Sequence, residues 1–180
     1  LITRFTTILV QGRVAQSPPL GTTDDRETAM NDVVSIGGAS GFWGDSAMGA
    51  PQLVGSGQVD YLVFDYLAEL TMSIMAAQKL KSPDAGFALD FVSVTLKELL
   101  PRLVERGIRV VSNAGGVNPR ACAKMIEDVA REQGLSVKVA VVEGDDVMPL
   151  IPQLRAEGVR ELQSGKPLAE KVMSANAYFG

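Results

Sequence analysis

Four short stretches of this 180-residue chain concentrate residue types that can do chemistry. The first is Gly37-Gly38-Ala39-Ser40-Gly41-Phe42-Trp43-Gly44-Asp45, where glycines allow backbone N–H groups to approach an anion closely. Gly37, Gly38, Ser40, Gly41, Gly44 and Asp45 are therefore candidate binding residues for a phosphate or an acyl carrier. The stretch is not a dinucleotide fingerprint, because Ala39 and Phe42 stand where glycine is needed, and no Lys follows to complete a phosphate loop. A tight turn with Trp43 packed over it explains the same residues.

Asp65 and Glu69 are spaced i, i+4, so on one helix they share a face and can divide the roles of acid and base. The competing reading makes Asp65 a helix cap and Glu69 a partner of the helix dipole. Asn113-Ala114-Gly115-Gly116-Val117-Asn118-Pro119 sets two amides around a double glycine. An amide can polarise a carbonyl, which makes Asn113 the third candidate catalytic residue, with Gly115, Gly116 and Asn118 as binding residues beside it. Asn118 also fits a helix cap. Glu143, Asp145 and Asp146 offer hard oxygen ligands for a divalent cation such as Mg²⁺, or equally the acids of a helix's first turn.

Composition limits what these residues can be. The chain has no histidine, which excludes a Ser-His-Asp triad, a Cys-His pair and histidine ligation within these residues. Its formal net charge is −4, with no run of Lys or Arg, which argues against nucleic acid or an anionic membrane as a partner. The single cysteine, Cys122, forms no intrachain disulfide and falls on an apolar helix stripe, so it reads as core filling; so do Met72, Met75 and Met148. With 46% hydrophobic and 21% charged residues, the composition fits a soluble globular chain.

The elements that must position these groups alternate between strand and helix. Strands are expected at Val33–Ile36, Tyr61–Phe64, Ile108–Ser112 and Val137–Val142. Between them lie a weak helix capped by Asp45 or Ser46 and a helix with Leu67, Leu70, Ile74 and Ala77 on its apolar face. A helix carrying Leu96, Leu99, Leu100, Leu103 and Val104 follows, with Pro101 expected to kink or break it. The helix opened by Asn118-Pro119 buries Ala121, Cys122, Met125, Ile126 and Val129, and a short one lies near Leu150–Ala156. This rhythm predicts an α/β fold: a mostly parallel sheet with helices on both faces, Rossmann-like. All four chemical stretches then fall at the carboxyl ends of strands, where such sheets bind ligands.

Residues 1–30 differ in style and are expected to be a poorly ordered extension, with Met30 as the natural start; residues 31–180 form the α/β domain. Ser174–Gly180 looks like the start of a further βα unit, so a fragment of a longer protein is expected.

The glycine-rich stretch, Val59-Asp60-Tyr61-Leu62-Val63-Phe64-Asp65-Tyr66-Leu67-Ala68-Glu69, the Asn113–Pro119 turn, Val142–Asp146 and the tail Ser174–Gly180 together resemble the N-terminal region of the acyclic terpene utilisation (AtuA-type) family. The resemblance implies a cytoplasmic protein in the breakdown of citronellol- or geraniol-type terpenes, acting on a branched acyl-CoA. It also implies a lyase-type cleavage of a branched hydroxyacyl-CoA. The expected partners are thus a CoA thioester substrate and a homo-oligomer or catabolic complex. A non-catalytic binding or assembly subunit is the rival reading, and a carbohydrate or nucleotide enzyme a third.

Overall fold

The computed structural model describes residues 7–12 and 33–177. Five strands, β1 (Thr7–Gly12), β2 (Ile36–Ser40), β3 (Tyr61–Phe64), β4 (Arg109–Ser112) and β5 (Val137–Val142), form one sheet in the order β2-β3-β4-β1-β5. Helices α1 (Gly49–Ser56), α2 (Glu69–Lys81), α3 (Lys97–Arg106), α4 (Pro119–Glu132) and α5 (Ile151–Ala156) complete an α/β fold.

The sheet is mixed, which corrects the expectation of a mostly parallel one. β2, β3 and β4 pair in parallel, but β1 enters between β4 and β5 and runs antiparallel to both. The cause lies in six residues. Ile8 and Val10, two apart, are 0% and 3% exposed, so the alternation of a strand carries them into the core. The expected N-terminal extension therefore contains a sheet strand at Thr7–Gly12; its other residues, Met30 included, lie outside the described ones.

Helices on both faces were the second expectation, and the burial pattern corrects it as well. β3 and β4 alternate between half-buried and buried positions, and the buried set, Leu62, Phe64 and Val110, joins Ile8, Val10 and Ala39 in one core cluster with α3 and α4. The opposite set shares a row through the register Gly38–Val63–Val111–Leu9–Ala140. Its members are half-buried or exposed, so among the described residues the core occupies one face of the sheet.

Local chemistry explains most of the helices. α4 opens with Pro119 at its first position and ends before Gly134, whose φ of +69° suits glycine alone. The helix expected to break at Pro101 continues through it as α3, preceded by a π-helix, Phe91–Leu96. Pro101 brings no N–H for the Lys97 carbonyl four residues back, and the Gln133 side chain supplies the missing donor to that carbonyl at 2.6 Å. In α2 the two methionines fill the core as expected, but part of the expected apolar stripe does not. Met72, Met75 and Ala76 are buried, whereas Leu70 and Ile74 are 72% and 42% exposed. Cys122 fills the core as expected, and burial pushes its thiol up to about 12. No helix among the described residues is long and apolar enough to cross a membrane.

Candidate functional site

The four chemical stretches do reach the carboxyl edge of β2 to β5, but they divide between two cavities. The larger cleft, about 440 Å³, takes Gly116 to Arg120 from the turn into α4 and Glu143 to Asp146 from the exit of β5. Ala76, Lys79 and Leu80 of α2 form one wall, and Met148, Met173 and Asn176 another. The smaller, about 130 Å³, lies under the glycine-rich loop and is lined by Ser40, Gly44 and Asp45 together with Tyr66, Asp90 and Thr95. Neither lining includes Asp65, Glu69 or Asn113.

In the glycine-rich stretch the expected roles change. β2 begins at Ile36, not Val33, and absorbs Gly37 and Gly38; an added Cβ at Gly37 would press on Leu53 and Val59 at 3.0 Å. Only Gly41 and Gly44 remain in the loop, and Gly44 needs its φ of +99°. Two of the loop's donors are already used from within. Asp45 accepts the Gly41 N–H at 2.9 Å and the Ser46 N–H at 2.7 Å, and these bonds hold its carboxyl below the usual carboxylate range. A phosphate placed there would meet that carboxylate. Neither Asp45 nor Ser46 caps α1, whose N-cap is Met48.

Asp65 stands four residues ahead of α2, which starts at Glu69, so the two carboxylates share no helix face. Both are exposed. Glu69 occupies the first turn of α2, where a negative charge complements the helix dipole, and Thr71 accepts the Ala68 N–H at 2.7 Å in place of an Asp65 cap. Asp65 pairs with Asn113 instead. The Asn113 amide donates to the Asp65 carboxylate at 2.6 Å, and its oxygen accepts the Tyr66 N–H at 2.7 Å. Both ends of that amide thus lock the β3 and β4 exits together, which is a positioning role.

Asn118 was expected to cap α4. Its side chain makes no cap bond; its amide nitrogen donates to the carbonyls of Pro83 and Ala85, each at 2.8 Å, and pins the loop after α2. The double glycine is required by packing. Gly116 has φ +53°, and an added Cβ would sit 2.7 Å from the Gly86 carbonyl; at Gly115 it would be 2.9 Å from Pro119.

The three acids after β5 diverge. Glu143 is held by the Arg120 guanidinium through two bonds, Asp145 accepts the Asn176 amide at 2.9 Å, and Asp146 accepts the Met148 N–H at 2.9 Å. The three acids thus turn to separate protein partners, and among the described residues no three such ligands converge on a metal-sized point.

The structure also brings in residues that were not site candidates by type or spacing. Lys79 reaches the cleft from α2 and donates to the Val117 carbonyl at 2.6 Å. Arg120 is 78% exposed beside Glu143. Tyr66, Asp90 and Thr95 meet at the smaller cavity, Asp90 and Thr95 from one helix and Tyr66 from the exit of β3, and Trp43 bonds to Asp90 at its rim.

The family model for the acyclic terpene utilisation family protein AtuA matches residues 34–180. The chain belongs to that family. No curated protein and no solved structure matches it. The AtuA match begins two residues before β2, so both cavities fall inside it and β1 falls outside. Membership suggests a part in acyclic terpene utilisation.

Proposed function

We propose that this AtuA-family chain acts in the cytoplasmic breakdown of acyclic terpenes by holding a branched hydroxyacyl-CoA in the larger cleft. The observation that carries the reading is the division of that lining. Ala76, Leu80, Val117, Met148 and Met173 are apolar, Lys79 and Arg120 are cationic, Glu143, Asp145 and Asp146 are acidic, and Asn176 is polar. A branched chain fits the first group, a hydroxyl the last, and an anionic group of the ligand the cations. Size supports a partial fit: a cleft of about 440 Å³ takes the acyl end and thioester, leaving the nucleotide outside.

The cations are free to exchange partners. The Arg120–Glu143 pair is exposed, and pairs of that kind are worth at most about 1 kcal/mol. Lys79 spends one of three donors on Val117. The N-terminal end of α4, at Asn118 to Arg120, also opens onto the cleft and favours negative charge.

A binding or assembly role without chemistry is the second reading, favoured by the engagement of Glu143, Asp145 and Asp146 with protein partners. One experiment addresses both. Incubation with 3-hydroxy-3-methylglutaryl-CoA should raise the melting temperature more than free CoA does. Mass spectrometry of the mixture then shows cleaved products for an enzyme and intact thioester for a binding subunit. Equal shifts with thioester and free CoA would remove the acyl-binding claim.

A further inference from the structure

The smaller cavity has a construction of its own. Tyr66 is 7% exposed, and its ring meets Phe64 and Phe91 edge-to-face at centroid distances of 6.0 and 5.7 Å. Those contacts fix the ring, so the hydroxyl group is held in one place. The Thr95 side chain, supplied by the π-helix, lines the same cavity. Each hydroxyl carries one proton that it can donate. Helical irregularities of this type recur at functional sites.

The remaining lining is apolar on one side and acidic at the rim. Ala39, Ala47, Ala50, Phe64 and Val94 form the wall. Asp45 and Asp90 stand at the opening, and Asp90 accepts the Trp43 indole N–H at 2.8 Å. No Lys or Arg lines the space, so an anionic ligand is excluded by the two carboxylates. A neutral ligand with one oxygen can receive a hydroxyl proton there without meeting a like charge. Burial, with Asp90 and Asp45 adding to it, pushes the Tyr66 phenol up, so it remains protonated and able to donate at neutral pH.

We propose that this cavity is a second ligand site, taking the oxygen-bearing end of a small branched alcohol or carbonyl compound, with Tyr66 and Thr95 as its hydrogen-bonding groups. A cavity of about 150 Å³ holds benzene, so one of about 130 Å³ holds roughly six heavy atoms, the size of a five-carbon branched alcohol. This site stands whether or not the larger cleft takes a thioester.

The test uses the full chain and 3-methylbut-2-en-1-ol as probe. Trp43 is the single tryptophan, so the protein has one indole N–H signal in a ¹H–¹⁵N NMR spectrum, and that group sits at the cavity rim. The expected result is a saturable shift of that signal and of the Gly44 and Ser46 amides. Tyr66→Phe should weaken the binding by about three- to tenfold, the value of one hydrogen bond. 2-Methyl-2-butene, which lacks the hydroxyl, should not distinguish wild type from Tyr66→Phe. Ala47→Leu, at an exposed lining position, should abolish the shift without touching the core. No saturable shift up to the solubility limit, or equal affinity in wild type, Tyr66→Phe and Ala47→Leu, would overturn the proposal.

Discussion

Asn113 shows how a single side chain can look catalytic in sequence and prove architectural in space. An amide beside a double glycine at a strand end is what a polarising group requires, yet both its ends are occupied, by Asp65 and by the Tyr66 N–H. Residue type and spacing could not reveal this, because the partners lie 47 and 48 positions away. Cys122 is the opposite case: its place on an apolar stripe was enough. Its 0% exposure and raised thiol lead to a residue-scale prediction. A thiol-specific reagent at pH 8 should leave it unlabelled in the native protein and label it fully in denaturant; rapid native labelling would contradict its burial. The same thiol links stability to pH. A folded-state value raised from 9.0 to about 12 contributes stability that is whole below pH 9 and is lost as pH rises toward 12.

Among the elements, those with a local cause were legible and those decided by packing were not. Pro119 and Gly134 bracket α4 by backbone chemistry alone, and the strand at Val137–Val142 appears where its alternation places it. α2 carries two apolar stripes with the same helical spacing, Leu70/Ile74/Ala77 and Met72/Met75/Ala76; the methionines were expected in the core and lie there, whereas Leu70 and Ile74 were expected there and are exposed. Met75 decides between them, since its side chain packs against Gly116, where an added Cβ would collide with its sulfur. Pro101 was expected to break its helix, and the compensating donor, Gln133, lies 36 residues from the carbonyl it serves. Gln133→Ala should therefore destabilise the protein by about 1–2 kcal/mol by leaving the Lys97 carbonyl unpaired. Urea unfolding measures it, and no change in midpoint would show that α3 does not depend on this bond.

For the molecule as a whole, the decisive surprise is β1. A six-residue strand from outside the family match fills the space between β4 and β5 and turns a parallel sheet into a mixed one. Its apolar run was visible, but a run that short does not announce which strands it joins. If β1 is integral to the sheet, the Val10 amide should exchange with solvent as slowly as those of Val110 and Val139, the residues paired with it. Fast exchange at residues 7–12 with β4 and β5 still protected would make β1 an accessory. The α/β class and the strand-end location of the chemistry were legible throughout, whereas the split into two cavities depended on tertiary contacts. The central claim, that the larger cleft receives an acyl-CoA through its cations, is tested most directly by calorimetric titration of 3-hydroxy-3-methylglutaryl-CoA into wild type, Arg120→Ala and Lys79→Ala. Saturable binding to wild type, weakened about tenfold or more in Arg120→Ala by loss of a charge-assisted bond, is the predicted result. Heat signals that are absent in wild type, or identical in all three proteins, would contradict it.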